Sequence, residues 1–192
     1  MLMDENTLLQ ASKNGDVEAF NLLVLEYQGQ IYNVCYRILG DPSAAEDMTQ
    51  EAFVSAYKNI GRFKEGNFRA WLYRIASNAC RDYLRSPRIR KNQSLEVIEE
   101  TSEYVLTSNL ESPDSFAIRK ELSGIIQEAL LNLPEDQRLA LILVDVQGMS
   151  YEETSTILDT PIGTVKSRLS RARESVRLQL VEQRELLPAQ FR

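Results

Sequence analysis

The 192-residue sequence contains no histidine, only two cysteines, eight glycines and six prolines. Without histidine, neither a Ser-His nor a Cys-His catalytic pair can form, and the usual imidazole metal ligands are missing. Cys35 and Cys80 are too few for a disulfide framework or a zinc site, and we expect both in the core. These absences argue against an enzyme, and we expect no cofactor and no metal.

Long apolar runs are also missing, because no stretch approaches the 18 uninterrupted apolar residues typical of a membrane-spanning helix. The first ten residues, MLMDENTLLQ, are acidic where a signal peptide is cationic and then apolar. We therefore expect a cytoplasmic protein without membrane insertion. Apolar residues make up 43% of the chain, which excludes disorder throughout, and the abundance of Leu, Glu, Ala and Arg predicts an all-α protein.

The net charge of −6 conceals an uneven distribution of charged residues. Residues 92–118 hold six acidic residues and no basic one, whereas 62–91 hold nine basic residues against two acidic. A second basic stretch, 161–177, has five basic residues against one acidic. Two basic patches separated by an acidic segment are the pattern expected when two modules contact one polyanion.

Apolar spacing in the first half of the chain predicts four helices, which together form one bundle of about 90 residues. The predicted helices cover 4–13, 17–39, 42–60 and 68–86. Their ends carry stop signals, namely Asn14-Gly15, Gly40, Gly61 and Ser86-Pro87. This bundle defines a first domain over 1–91.

A flexible acidic linker is predicted for 92–117, because its apolar spacing is irregular and polar residues dominate. The second predicted domain, 118–192, is also helical. Its helices are expected over 116–131, 135–146, 151–158 and 164–187. Ser150 and Glu153 form a capping-box sequence at the start of the third of these, and Thr164 is predicted to cap the last.

A short helix, a tight turn and a basic helix over 151–177 match the helix-turn-helix pattern, whose second helix enters the DNA major groove. Four apolar residues predict the buried stripe of the last helix, namely Val165, Leu169, Ala172 and Val176. The polar residues left outside are Lys166, Ser167, Arg168, Ser170, Arg171 and Arg173. An ordinary solvated basic face is the alternative, but Pro161 and Gly163 fall where the motif needs its turn.

Aromatic and basic residues alternate over 63–74, a composition that suits single-stranded nucleic acid through stacking and phosphate attraction. Trp71 falls in register with Ile75 and Ala79, which favours a core position. Asn67 and Phe68 have no such periodic role and could hold an unstacked base.

The segment 41–53 has acidic residues and no basic one. A solvated helix face explains this pattern as well as a binding surface does. Asp47 and Glu51 lie one helical turn apart and could ligate a metal, but without a third clear ligand we do not expect a catalytic metal site.

Five segments of the sequence resemble, in order and spacing, the extracytoplasmic-function group of bacterial RNA polymerase sigma factors, which contain sigma domains two and four. These segments are 47–53 (DMTQEAF), 68–78 (FRAWLYRIASN), 133–138 (LPEDQR), 148–153 (GMSYEE) and 163–168 (GTVKSR). The resemblance covers nearly the whole chain. It implies that the first predicted domain is domain two and the second is domain four.

The resemblance also implies roles for individual residues. Core RNA polymerase, through its β′ clamp, would bind Asp47, Gln50, Glu51 and Phe53. The −10 promoter element, melted and held as a single strand, would contact Arg62, Lys64, Asn67, Phe68, Trp71, Arg74, Asn78 and Arg81. The −35 duplex would contact Thr164, Lys166, Ser167, Arg168, Ser170 and Arg171.

The partners implied by the resemblance are core RNA polymerase, at its β′ clamp and β flap, promoter DNA and an anti-sigma factor. No small-molecule substrate is expected. A stand-alone helix-turn-helix regulator is the main alternative, but it requires neither the acidic segment nor the aromatic-basic one. A DNA-cleaving enzyme that uses Asp47, Glu51 and Asp82 is a further alternative, which the lack of a recognisable catalytic constellation disfavours.

Overall fold

A computed structural model describes residues 4–64, 66–86 and 113–182. Within these ranges the chain is helical and contains no β-strand. The helices are α1 (Glu5–Lys13), α2 (Val17–Leu39), α3 (Pro42–Asn59), α4 (Phe68–Arg85), α5 (Pro113–Leu131), α6 (Glu135–Leu141), α7 (Tyr151–Leu158) and α8 (Ile162–Glu182). A 3₁₀ turn, Ile60–Arg62, follows α3, and a π-helical turn, Ile142–Val146, follows α6. The fold class and the helix order are confirmed.

The first domain packs α1, α3 and α4 against the long helix α2. The side chains that α2 buries recur at three- and four-residue spacing, among them Leu23, Ile31, Val34 and Ile38. This spacing directs one stripe of the helix to the neighbouring helices. Deep in this core α2 meets α4 at Cys35 and Cys80, which are fully buried and free, as predicted. A hydrogen bond with the Cys35 thiol, together with burial, raises the pKa of Cys80.

Side-chain caps fix where the helices of this domain begin. Asp16, Asp41 and Asn67 each accept a hydrogen bond from the backbone N–H three residues on, at 3.1, 2.6 and 3.0 Å. Each bond satisfies an N–H that has no partner within its own helix. Asn67 is thus the N-cap of α4, and Phe68 is the first residue of that helix, where the predicted helix over 68–86 also begins.

The second domain contains the predicted helix-turn-helix, formed by α7 and α8. The capping box at Ser150 is present, because its hydroxyl accepts from the Glu153 N–H and the Glu153 carboxylate accepts from the Ser150 N–H. Asp159 ends α7 in the left-handed conformation, at φ 49°. The last helix begins at Ile162, two residues before the predicted cap Thr164, because the backbone bond from Thr164 to Pro161 already closes its first turn.

The predicted linker lies partly outside the described residues, which resume at 113. There α5 begins within the range expected to be linker. None of the helices in the described ranges combines the length and the hydropathy that a membrane span requires.

The two domains pack against each other, mainly through α4 on α7 and α2 on α5. Gly40 ends α2 in the left-handed conformation, at φ 77°, directly against Leu131 of α5. A Cβ built on Gly40 would lie 2.5 Å from Leu131 Cδ1. Because Gly40 has no side chain, it can end α2 at a positive φ. For the same reason Leu131 of the second domain can pack directly against it.

Replacing Gly40 with alanine is expected to lower the free energy of unfolding by about 1–2 kcal/mol, because Ala is strained at positive φ and its Cβ displaces Leu131. The matched control is Gly29→Ala in the middle of α2, where a Cβ meets nothing within 4 Å. That change should raise stability by about 0.5–1 kcal/mol. Urea unfolding followed by circular dichroism measures the free energy of unfolding of both variants. Equal effects of the two substitutions would contradict the role of Gly40 in ending α2 and contacting Leu131.

Candidate nucleic-acid interface

The basic helix α8 buries one stripe and exposes the predicted base-contacting residues. Val165, Leu169 and Ala172 are at most 1% exposed, which confirms three of the four predicted members of the stripe, whereas Val176 is only partly buried. Side chains exposed on the other side include Lys166, Ser167, Ser170 and Arg171. Thr164 and Arg168 lie at the edge and are partly buried. The first turns of α8 therefore present cations and hydroxyls outward, as a helix that enters the major groove must.

Several arginines of α8 are held by carboxylates. Arg173 forms two hydrogen bonds to Asp145, at 2.6 and 2.9 Å, and these raise its pKa. Arg168 bonds to Asp136 and, at 3.2 Å, to the Thr160 hydroxyl. Lys166 lies over the Tyr151 ring, with Nζ 5.6 Å from its centroid. These contacts orient the cations of the basic face without burying it.

A second candidate surface follows one stripe of α4. Its members recur at three- and four-residue spacing and therefore share a helix face, namely Asn67, Trp71, Arg74, Asn78, Arg81 and Arg85. Asn67, Arg74, Asn78 and Arg85 are exposed, whereas Arg81 is partly buried. Arg62 and Lys64, just before α4, are exposed as well. The stripe joins cations to amides over almost five turns of helix.

An aromatic cluster supports the start of this stripe. Phe68 is 1% exposed and contacts the rings of Tyr27, Phe63 and Trp71, with centroids 5.4–5.6 Å apart. Phe68 is therefore a core residue, which corrects the expectation that its ring could hold an unstacked base. Trp71 packs against the core but is only partly buried. Between Phe68 and Trp71, only Trp71 therefore has an exposed ring surface on which a base could stack.

The acidic segment forms the outer face of α3. Asp47, Gln50 and Glu51 are exposed, as a binding face requires. Phe53, expected beside them, is 8% exposed and packs into the core. Val54, which sequence reasoning missed, is 53% exposed. Its position, seven residues after Asp47, places it on the same face and could have been inferred from the spacing.

Three further residues connect the domains, although the sequence analysis did not single them out: Arg69, Tyr73 and Gln147. Arg69 donates to the Gln147 backbone carbonyl at 2.7 Å, and the Tyr73 hydroxyl donates to the Gln147 side chain at 2.7 Å. Burial raises the pKa of Tyr73, which keeps its hydroxyl a donor. Nothing in the sequence signals these contacts, because their partners lie 74 and 78 positions apart.

Two helical domains, one carrying a helix-turn-helix with an outward basic face and the other a basic stripe next to an acidic helix, define a two-module nucleic-acid-binding protein. Within the described residues no three His, Cys, Asp or Glu side chains are grouped to hold a metal ion.

Comparison with known proteins identifies the modules. The sigma-70 region 2 family matches residues 23–89 and the sigma-70 region 4 family matches residues 123–176. The RNA polymerase sigma-H factor of Pseudomonas aeruginosa is 37% identical over 177 residues, covering 90% of this chain and 91% of that protein. The ECF RNA polymerase sigma-E factor of Escherichia coli K12 is 36% identical over 180 residues, covering 91% and 93%.

Solved structures agree in fold. The sigma factor RpoE of Bartonella quintana, solved in complex with the anti-sigma factor NepR, superposes with a TM-score of 0.67 at 26% identity and covers 85% of this chain and 98% of its own. CnrH, solved with the cytosolic domain of CnrY, gives a TM-score of 0.66 at 22% identity, covering 92% and 96%.

The chain belongs to the extracytoplasmic-function group of the sigma-70 family. Proteins of this family bind core RNA polymerase and direct it to promoters, and the first and second domains described above are sigma domains two and four.

Proposed function

We propose that this sigma factor divides its work among three surfaces: the outer face of α3 for core RNA polymerase, the α4 stripe for the −10 element, and the start of α8 for the −35 element. Domain two extends over 1–91 and domain four over 118–192, with 92–117 as the connection. The single observation that carries the proposal is the outward display of Lys166, Ser167, Ser170 and Arg171 opposite a fully buried stripe of α8.

The α3 face suits a protein partner. Asp47, Gln50, Glu51 and Val54 recur at three- and four-residue spacing, so they form one continuous surface. An apolar residue with a polar surround is the usual composition of an interface centre and its rim. The acidic charge would pair with basic residues on the β′ clamp.

The α4 stripe suits a single strand. Arg74, Asn78 and Arg81 offer cations and an amide to bases and backbone, and the partly exposed Trp71 ring offers a stacking surface. Arg62 and Lys64 extend the positive charge beyond the helix start. Extruding a base costs a few kcal/mol, which stacking and hydrogen bonds to Asn67 would offset.

The protein itself makes no bond in this proposal and is no enzyme. It favours the open promoter because the separated strand fits the α4 stripe and the paired strand does not. We place it in the cytoplasm, where RNA polymerase transcribes, and infer control by an anti-sigma factor. The complex of the Bartonella quintana relative with NepR supports that inference.

Replacing both Gln50 and Glu51 with alanine is expected to weaken binding to core RNA polymerase by about 1–2 kcal/mol, because both side chains lie on the α3 face. Run-off transcription with core polymerase on a promoter library should fall in parallel. The matched control is Gln28→Ala with Glu26→Ala, another exposed Gln and Glu pair, on α2.

Two results would overturn the proposal. The first is promoter-specific transcription that both variants leave unchanged, which would remove core binding from the α3 face. The second is specific duplex binding by the protein alone with no specificity conferred on core polymerase, which would favour a stand-alone regulator.

A further inference from the structure

Three rings of the aromatic cluster meet at the start of the α4 stripe. The Phe63 ring centroid lies 5.4 Å from that of Phe68 and 5.1 Å from that of Trp71. The centroids of Phe68 and Trp71 are 5.6 Å apart. Rings that meet tilted or edge-on at such distances attract one another. The orientation of the Trp71 ring therefore depends on how firmly Phe63 and Phe68 are held.

The last residue of α1 holds the first of these two supporting rings. Lys13 Nζ lies 5.2 Å from the centroid of the Phe63 ring, within the range of a cation–π interaction. Both side chains are partly buried, and partial burial strengthens the attraction because less water surrounds the cation. The helix α1 also contacts the 3₁₀ turn Ile60–Arg62, which directly precedes Phe63. This end of α1 thus fixes the segment that leads into α4.

The first residue of α1 holds the second supporting ring through a tyrosine of α2. The Tyr27 hydroxyl donates to the Glu5 carboxylate, and the Tyr27 ring meets Phe68 edge-on with centroids 5.6 Å apart. Burial and the hydrogen bond to Glu5 raise the pKa of Tyr27, so its hydroxyl remains a donor at physiological pH. A chain of contacts therefore connects Glu5, through Tyr27, to the first residue of α4.

The body of α1 sets the separation of these two contacts. Leu8 and Leu9 are at most 9% exposed and pack in the core of domain two. The Asp4 carboxylate caps the helix by accepting from the Thr7 N–H at 2.7 Å. Nine helical residues span roughly 12 Å, since each residue adds about 1.5 Å. The helix lies before 23–89, the residues that match sigma-70 region 2, and forms a rigid link between its two contacts.

We propose that α1 positions the −10 surface, with Lys13 and Glu5 as positioning residues that hold the rings beneath Trp71. The inference rests on the proposed function, because it takes Trp71 and the α4 stripe as the −10 surface. It extends that function by giving α1 a part in −10 binding that requires no contact with DNA. A ring already fixed in place loses less conformational entropy when a base stacks on it, so binding is tighter.

The first test uses the fluorescence of Trp71, the only tryptophan of the chain, in the free full-length protein without DNA. Lys13→Met keeps an unbranched side chain but removes the cation. We expect the Trp71 emission to shift to longer wavelength, because a loosened ring meets more water. Lys13→Arg keeps a cation for Phe63 and should emit as the wild type does. The control, Lys58→Met, removes an exposed lysine from α3 and should leave the emission unchanged.

The same measurement tests the other end of α1. Tyr27→Phe keeps the ring that contacts Phe68 but loses the hydroxyl donor, so the Trp71 emission should shift in the same direction. Glu5→Ala should have the same effect, whereas Glu5→Gln keeps an acceptor oxygen and should stay close to the wild type. Tyr36→Phe is the matched control, because it removes a hydroxyl from the same helix outside this chain of contacts.

The second test measures binding of the two promoter elements by the holoenzyme. The probes are the −10 single strand and the −35 duplex of a promoter selected by run-off transcription, both followed by fluorescence anisotropy at fixed ionic strength. The double variant Glu5→Ala with Lys13→Met should bind the single strand about three- to fivefold more weakly, since a cation–π contact and a hydrogen bond are lost. Binding of the −35 duplex should not change.

Unchanged Trp71 emission in both Lys13→Met and Tyr27→Phe would overturn the proposal. Equal losses of single-strand binding in Lys13→Met and Lys58→Met would overturn it as well, because Lys13 would then act only through its charge. The wild-type holoenzyme separates this inference from the proposed function. If it binds the −10 strand and the α1 variants bind equally well, only the role of α1 is wrong. If it does not bind that strand, the proposed role of the α4 stripe is wrong, whatever the Trp71 emission shows.

Discussion

Replacing Arg138 with alanine is expected to lower the free energy of unfolding by about 3 kcal/mol, among the largest effects of any single polar side chain in this protein. The Arg138 guanidinium donates to the carbonyls of Leu131 and Leu133 at 2.7 and 3.1 Å and also to that of Ile38. One side chain therefore ties the end of α5 to the start of α6 and both to domain two.

Alanine would leave these three carbonyls without their cationic donor in a partly buried place, which is more costly than losing an exposed ion pair. Burial lowers the pKa of Arg138, although Glu135 opposes this, and an arginine stays charged at any physiological pH.

Urea unfolding followed by circular dichroism measures the effect. Arg171→Ala is the control, because its side chain is exposed on α8. A loss below about 1 kcal/mol for Arg138→Ala would show that water replaces the guanidinium at these carbonyls.

The largest functional effect is expected from Arg171, which lies exposed on the outward face of α8. Its replacement by alanine should weaken binding of the holoenzyme to a −35 duplex by about 1–3 kcal/mol, because a base-contacting arginine loses two directed hydrogen bonds. Competition between cognate and scrambled −35 duplexes measures the change and should show reduced specificity.

Arg177→Ala is the matched control on the same helix, where the guanidinium is bonded to Glu174 at 2.7 and 3.0 Å. It should leave specificity unchanged. If Arg171→Ala weakens cognate and scrambled duplexes equally, Arg171 contacts phosphate rather than a base, and its base-contacting role is wrong.

The local sequence pattern predicted the structure correctly where the interaction that determines a helix start joins residues close together in the sequence. Asp16 and Asp41 start helices by bonding to the N–H three residues on, and Ser150 with Glu153 forms its box within one turn. Spacing likewise predicts the stripe at Val165, Leu169 and Ala172, since helical periodicity alone selects the buried side. The helix order and the two-domain organisation follow from such signals.

The local sequence pattern did not predict burial where an aromatic residue could either pack in the core or bind a partner at the surface. Phe53 follows the exposed Gln50 and Glu51 within one helical turn, and Phe68 follows the exposed Asn67, so the sequence around each ring suggests a surface role. The bundle places both in the core, since a large ring contributes more free energy when it is buried than when it is exposed. Val54 takes the exposed position on α3.

The sequence by itself determined an all-helical protein of two domains, the place of its helix-turn-helix and the family to which these belong, because helix caps, periodicity and short motifs are local properties. Only the tertiary structure decided that Asp136 lies between Arg81 and Arg168 and that Arg138 caps α2. Each of those contacts joins residues at least 32 positions apart. They depend on how the domains pack, which no local pattern specifies.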